Sequence, residues 1–368
     1  MSDNLNLVNK QLDPICLELT RTLEGIGAFQ RRLFPPDIHS LREDLIPFRE
    51  SLERARQELQ EMTMPAESNE PRNIINDSIG LVLDALGTIL GASTPHFQET
   101  IVHVMRAFRK ICRVQENLYP IRFTSPHLNR FFLESQIDNQ DERFGPTPQE
   151  GSLVGLNHFG IEDDYYARGA VSLYVPEYYD DAIEWPLVVA LHGGFGHGRD
   201  FIWTWLREAR SRGFILLSPS SRDTTWSILN PEIDGKALTS MLDFLKRHYN
   251  FNMDRMLLTG ISDGATFALI CSLQQHSPFS SCAPIAGVLP PLDINPAREK
   301  RIYWVHGALD WMFPVRLAQG ASEALKMSGA DITLRVIDDL SHTYPREEND
   351  RILKWFEPGL ALPEQNRK

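Results

Sequence analysis

Residues 257–268 run Leu-Leu-Thr-Gly-Ile-Ser-Asp-Gly-Ala-Thr-Phe-Ala, an apolar strand that passes through Gly-x-Ser-x-Gly directly into a helix. No other stretch constrains the fold as tightly. The serine must sit on a very sharp strand-to-helix turn that crowds neighbouring backbone, and Gly260 and Gly264 remove the side chains that would collide there. Such a turn exposes the Ser262 hydroxyl. It also aims the N-terminus of the next helix at the hydroxyl, where developing negative charge is favoured.

From about residue 150 onward, short apolar runs alternate with helical segments. The runs are 170–175, 186–191, 214–218, 255–260, 282–288, 301–306 and 332–337, with helical patterns such as 236–248 and 264–275 between them. That alternation implies a mainly parallel sheet with helices on both faces. The run Leu187-Val188-Val189-Ala190-Leu191 suits a strand buried on both sides.

The first 120 residues are different. Leu12, Ile15, Leu19, Leu23, Ile26 and Phe29 form one helical stripe, and Ile38, Leu41, Leu45, Phe48, Leu52, Ala55 and Leu59 form another. Pro47 lies within the second stripe and must either kink that helix or mark its true start. Two further helices are expected over about 74–90 and 97–111, with breaks at Pro35-Pro36, 64–71 and 91–95. Four amphipathic helices with short connections predict an antiparallel bundle. The expected organisation is a helical domain over 1–125, a linker or crossing segment over 126–150 and an α/β domain over 151–368.

Composition narrows the function classes. Formal charge is −12, from 37 basic against 49 acidic residues, so a phosphate backbone is a poor partner. Cys16, Cys112, Cys271 and Cys282 lie far apart with no Cys-x-x-Cys pair, which predicts neither a zinc site nor a disulfide framework and fits a cytoplasmic protein. The N-terminus shows neither a basic n-region nor an apolar h-region, and no uninterrupted apolar run reaches about 18 residues, so neither a leader nor a membrane span is expected. Nucleotide fingerprints are absent, and the acidic Glu162-Asp163-Asp164 run has no metal-ligand spacing with histidine.

An activated serine needs a base, and the base needs an orienting acid. Asp310 stands just past the run 301–306, and His342 just past 332–337. Ser262 as nucleophile, His342 as base and Asp310 as acid is therefore the expected trio. Asp338 and Asp339 are rival acids, but they share His342's own loop and would have to wrap back to its far nitrogen. Leu191-His192-Gly193-Gly194-Phe195-Gly196 follows a strand, and its glycines let backbone N–H groups reach a developing oxyanion. Gly194 and Asp263 are the expected donors, with Gly193 the alternative, and His192 is expected to fix the loop. Trp311, Phe195 and Trp226 are candidate substrate-binding residues, Trp311 foremost because it adjoins Asp310. Arg106, Arg109, Lys110 and Arg113 share one helix face, more simply read as a solvated face answered by acids on a neighbouring helix.

With Leu-His-Gly-Gly at 191–194, Asp254-Arg255, Gly-Ile-Ser-Asp-Gly at 260–264, His-Gly-Ala-Leu-Asp at 306–310 and Ser-His at 341–342, the last 60% or so of the chain resembles the α/β-hydrolase superfamily. Within it, the segment looks like the phospholipase/carboxylesterase and polyhydroxybutyrate-depolymerase-like esterases. The resemblance implies a doubly wound, mainly parallel sheet, hydrolysis of a small-molecule ester through an acyl-enzyme, and no cofactor or metal. Two departures bear on the pocket: Phe313 replaces a frequent valine, and Asp263 a common glutamine. The same trio could serve thioester or peptide hydrolysis or acyl transfer, and a non-catalytic binding module is the remaining alternative. The helical domain, which the resemblance does not reach, is expected to act as a cap or as a homo-oligomer interface.

Overall fold

A computed structural model describes residues 2–63, 69–91, 97–138, 141–145, 153–160, 162 and 164–362, with only the backbone described for 2–10 and 97–99. The chain divides into two compact units, Met1–Pro146 and Thr147–Lys368.

The first unit is helical, with α1 Ser2–Arg31, α2 Ile38–Glu43, α3 Ile46–Glu61, α4 Asn69–Gly91, α5 Phe97–Leu118 and α6 Pro126–Phe131. All six residues of the first stripe are buried in α1. The second stripe, which reads as continuous, spans two helices. α2 ends at Glu43, and Pro47 stands in the first turn of α3, where its missing N–H costs no helical bond. Ile38, Leu45, Leu52, Ala55 and Leu59 are buried on either side of that break. The Phe48 ring lies 2.7 Å from where a Cβ on Gly25 would sit, so α1 and α3 approach closely. α4 packs along α5, while α1 packs along α3 and α6.

By length and composition α4 is apolar enough to cross a membrane, a stretch the apolar-run criterion passes over. Its face Ile75, Ile79, Val82, Leu86 and Ile89 is buried, as in a core helix. On α5, Lys110 pairs with Asp84 of α4, and Arg113 with Glu116. Within the stretch expected as linker, α6 buries Leu128 and Phe131, while 139–140 and 146–150 lie outside the described residues, as do most of the expected breaks at 64–71 and 91–95.

The second unit is an eight-stranded sheet. Its strands are β1 Gly155–Phe159, β2 Val171–Val175, β3 Trp185–Leu191, β4 Ile215–Pro219, β5 Phe251–Ile261, β6 Ser281–Ile285, β7 Arg301–Gly307 and β8 Asp331–Ile337. The order is β1-β2-β4-β3-β5-β6-β7-β8. β1/β2 and β2/β4 are antiparallel, and every other pair is parallel. β3 lies in the middle of the sheet and is buried along its whole length. Edge strand β8 alternates exposed and half-buried residues, which its sequence Ile-Thr-Leu-Arg-Val reflects. β1, the other edge, was not expected: Gly-Leu-Asn-His-Phe offers neither an apolar run nor alternation.

The connecting helices include α7 Gly198–Phe201, α8 Leu206–Arg212, α9 Glu232–His248, α10 Asp263–Ser272, α11 Val315–Met327 and α12 Asn349–Phe356. The chain moves from β3 to β4 in one direction and then hops back over β3 to β5. With right-handed crossovers, this puts α8 on the face opposite α9 and α10. α12 is tied to the α8 region through Arg212–Asp350 (2.9 Å) and an Asn349 side-chain donation to the Thr204 carbonyl (2.8 Å). The reversal beside β3 opens a crevice at the strand C-termini, where ligands bind in sheets of this kind.

Leu52, fully buried in α3, is expected to cost about 2–5 kcal/mol when changed to Ala. Pro47→Ala, at a first-turn position, should cost less than about 1 kcal/mol. Urea unfolding of both variants checks that Pro47 starts a helix and does not interrupt one.

Candidate active site

The turn after β5 is a tight elbow. Ser262 adopts φ 55°, ψ −120°, a conformation that L-residues rarely occupy. Its N–H donates to the Ile285 carbonyl (2.9 Å), and its own carbonyl accepts from Thr266 N–H (2.9 Å), which starts α10. A Cβ on Gly264 would lie 2.3 Å from the His192 oxygen and 2.5 Å from the Leu191 oxygen, and one on Gly260 would lie 2.7 Å from Gly264 carbonyl carbon. The elbow is therefore pressed against the exit of β3, and both glycines are needed for the approach.

Two other strand ends converge on the serine. Asp310 follows β7 and His342 follows β8. Their loops are stitched together by Ala308 N–H to the Ile337 carbonyl and Leu309 N–H to the Leu340 carbonyl, both 2.9 Å. His342 Nδ1 lies 2.9 Å from Asp310 Oδ2, and Nε2 lies 2.9 Å from Ser262 Oγ. A carboxylate only accepts, so Nδ1 carries the proton and Nε2 can accept from the serine hydroxyl. Asp310 Oδ1 is held by Met312 N–H (3.0 Å) and Phe313 N–H (2.7 Å), which leaves Oδ2 for the imidazole. The Phe313 and Trp311 rings stand roughly perpendicular to that of His342, with centroids 5.3 and 6.3 Å away. Neither Asp338 nor Asp339 is the imidazole's partner.

His306 is a participant that sequence reading quoted only as part of a motif. It is fully buried in β7, and its Nε2 must donate to the Phe313 carbonyl 2.7 Å away. Among the described residues its Nδ1 has no hydrogen-bond partner, and Nε2 lies 3.5 Å from Asp310 Oδ2. Burial pushes its pKa down, so the neutral ring is favoured. It pins the carbonyl end of the turn whose amides grip Asp310.

The loop after β3 is fixed by polar contacts from below. His192 Nε2 accepts from Ser221 N–H (3.0 Å), so its Nδ1 bears the proton and donates to the Gly193 carbonyl (2.7 Å). Phe195 N–H donates to the Thr224 carbonyl (2.7 Å), and Phe195 itself has φ 58°. A Cβ on Gly193 would lie 3.5 Å from Ser262 Cβ, and one on Gly194 would lie 2.6 Å from Asp263 Oδ2, so both glycines face the elbow.

The aromatic candidates separate. Trp311 and Phe195 are exposed, Phe195 at 69%. Trp226, expected to bind substrate, is instead buried. Its indole N–H donates to the His192 carbonyl (2.7 Å) and its ring stacks on Phe267 at 5.1 Å, so it supports the loop from beneath. Asp234, which no motif marks, is buried and accepts from Arg222 N–H (2.9 Å) and Ser227 N–H (2.8 Å), bracing the 222–227 loop. Among the described residues no group of three or more His, Cys, Asp or Glu could hold a metal, and none of the four cysteines forms a disulfide.

Residues 228–357 match the family model of the phospholipase/carboxylesterase group. No curated protein matches the chain in sequence. Among solved structures, the chain is similar to the carboxylesterase of Bacillus cereus, with 16% identity over 55% of this chain and 94% of that one, TM-score 0.41. Esterase 2 of Thermogutta terrifontis is also similar, with 16% identity over 60% of this chain and 100% of that one, TM-score 0.45. A thermostable esterase gives 20% identity over 52% of this chain but only 55% of its own length, TM-score 0.42. The second unit has the α/β-hydrolase fold and an esterase-like family match, preceded by a helical region.

Gly264→Ala should prevent the elbow from closing, because the colliding atoms are backbone. Loss of soluble protein, or a melting temperature lowered by several degrees, is the expected readout, with near-normal thermal stability as the contrary result. His306 predicts a pH dependence. Its folded pKa lies below the unfolded value near 6.5, so the unfolded chain takes up a proton that the folded one refuses. The associated stability is complete above about pH 6.5 and declines as pH falls towards the folded pKa. Chemical denaturation between pH 7.5 and 5.5 should show this decline, and His306→Gln should flatten it.

Proposed function

We propose that the protein is a serine hydrolase that cleaves carboxylic esters through a Ser262–His342–Asp310 triad and an acyl-enzyme. The observation that carries this reading is the pair of 2.9 Å contacts, Nε2 to Oγ and Nδ1 to Oδ2, on a sheet whose family match is to phospholipases and carboxylesterases.

In the proposed reaction Ser262 Oγ attacks the ester carbonyl carbon while His342 Nε2 removes its proton. The amides of Gly194 and Asp263, at the β3 loop and the start of α10, receive the oxyanion, and Gly193 is the neighbouring alternative. Collapse breaks the bond to the alcohol oxygen, which takes the proton from Nε2. Water then attacks the acyl-serine with the same base, which releases the carboxylic acid and restores Oγ–H. Asp310 stays ionised throughout, holds the imidazole in the Nδ1–H tautomer and stabilises its cation. Apart from the attacking water, all steps use side chains and backbone of this chain, so the reaction as written calls for no cofactor. The exposed Trp311, whose ring centroid lies 6.3 Å from that of His342, and the exposed Phe195 of the β3 loop are the proposed contacts for the apolar part of an ester.

Wild-type protein should turn over p-nitrophenyl acyl esters and react with a fluorophosphonate at Ser262. Ser262→Ala should abolish labelling and lower kcat by about 10⁴-fold or more, and Asp310→Asn should lower it by about 10⁴-fold by favouring the wrong tautomer. Near-normal turnover by a folded Ser262→Ala protein would sink the assignment.

A further inference from the structure

Asp263 is placed unlike an ordinary acid at a helix start. A carboxylate in the first turn is commonly explained by the helix dipole or by capping bonds to nearby amides. Here it makes no such bond. Its Oδ2 accepts from the Thr225 hydroxyl at 2.6 Å and lies 2.6 Å from where a Cβ on Gly194 would sit. The carboxylate is thus held sideways, over the loop whose amide is the proposed oxyanion donor. It is half-buried, and no Lys, Arg or His side chain pairs with it among the described residues. Among the described residues Oδ1 has no hydrogen-bond partner. A carboxylate with no cationic side-chain partner among the described residues therefore stands beside the proposed position of the oxyanion.

That arrangement raises the barrier for a neutral ester, because the tetrahedral oxyanion and the carboxylate repel each other. A substrate with its own positive charge near the scissile carbonyl cancels the repulsion as the oxyanion forms. The benefit belongs to the transition state more than to the ground state, so it appears in kcat/KM. An anionic substrate meets the opposite effect.

We infer that the Asp263 carboxylate, braced by Thr225 beside Gly194, selects substrates by charge: the site takes carboxylic esters bearing a protonated amine or quaternary ammonium within a few bonds of the scissile carbonyl, and disfavours anionic counterparts. This rests on the ester-hydrolase reading above. Asp263 acts here as a specificity determinant through its side chain, separately from its backbone amide.

The test uses full-length protein and two matched ester series, one with a trimethylammonium, tert-butyl or carboxylate terminus on the acyl chain, the other with the same termini on the alcohol. Wild type should rank cation over neutral over anion in at least one series. Asp263→Asn keeps an acceptor for the Thr225 hydroxyl but removes the charge, and should reduce the cation-to-anion ratio of kcat/KM at least tenfold. Asp263→Ser should do the same by a second route. Thr225→Val, which leaves the charge, should retain the preference. The same ratio in wild type and both Asp263 variants, whatever the change in absolute rate, would make the carboxylate a brace only and overturn the proposal. A wild type that cleaves none of the esters and leaves Ser262 unlabelled by fluorophosphonate would instead overturn the ester-hydrolase reading beneath it.

Discussion

The contact on which the rest of this unit depends is backbone against backbone, where Gly264 at the start of α10 meets the Leu191 and His192 carbonyls at the exit of β3. Without a side chain there, β3 and β5 can end side by side with a helix leaving at once from one and a glycine loop from the other. Ser262 is forced to positive φ by the same crowding. Its N–H still finds the Ile285 carbonyl across the sheet, so the strained residue is anchored in the β5/β6 register. The hydroxyl and the loop glycines are thereby placed relative to each other by strands, the stiffest elements available.

A loop with a positive-φ Phe195 and several glycines would not keep one shape unaided. The polar groups beneath it supply the restraint. His192 bridges Ser221 N–H and the Gly193 carbonyl, Trp226 holds the His192 carbonyl, and Asp234 collects two amides of the loop that carries Ser221, Thr225 and Trp226. Each of these is a buried donor or acceptor that would cost about 1–3 kcal/mol if left unpaired. Removing one member thus penalises displacement of the others, so the network holds a geometry more than it adds net stability.

What the sequence made legible follows from how local each signal is. The elbow is contiguous, and Gly260, Ser262 and Gly264 carry their geometry in residue type alone. Asp310 and His342 could be found because each follows an apolar run closely. The stripe 38–59 looked continuous because helical phase is nearly preserved across the break at Asp44 and Leu45, and only Pro47 showed that a helix starts there. β1 was hidden, since an edge strand with Asn and His in it shares its composition with loops. Trp226 and Asp234 could not be read correctly for another reason. A tryptophan beside a loop has the same local sequence whether it faces the crevice or lies beneath it, and Asp234 acts across the fold on amides 7 and 12 residues away. His306 stood in a quoted motif, but its role depends on where the Phe313 carbonyl turns.

Two carboxylates near the serine are handled in opposite ways, and the difference is architectural. Asp310 has no exposed side-chain surface; one oxygen takes two amides and the other takes the imidazole, while His306 closes the turn behind it. A charge so fully coordinated is directed at one partner, and its field is spent on the Nδ1 proton. Asp263 has a single hydroxyl donor and no cation. On the proposed reading its field reaches the bound ester. Asp310 is enclosed in this way only because the ends of β7 and β8 bring two amides and two imidazoles around it. The acid at the elbow follows Ser262 directly in the chain, at the start of α10. Position in the fold, not residue type, separates a carboxylate enclosed by amides and an imidazole from one held by a single hydroxyl.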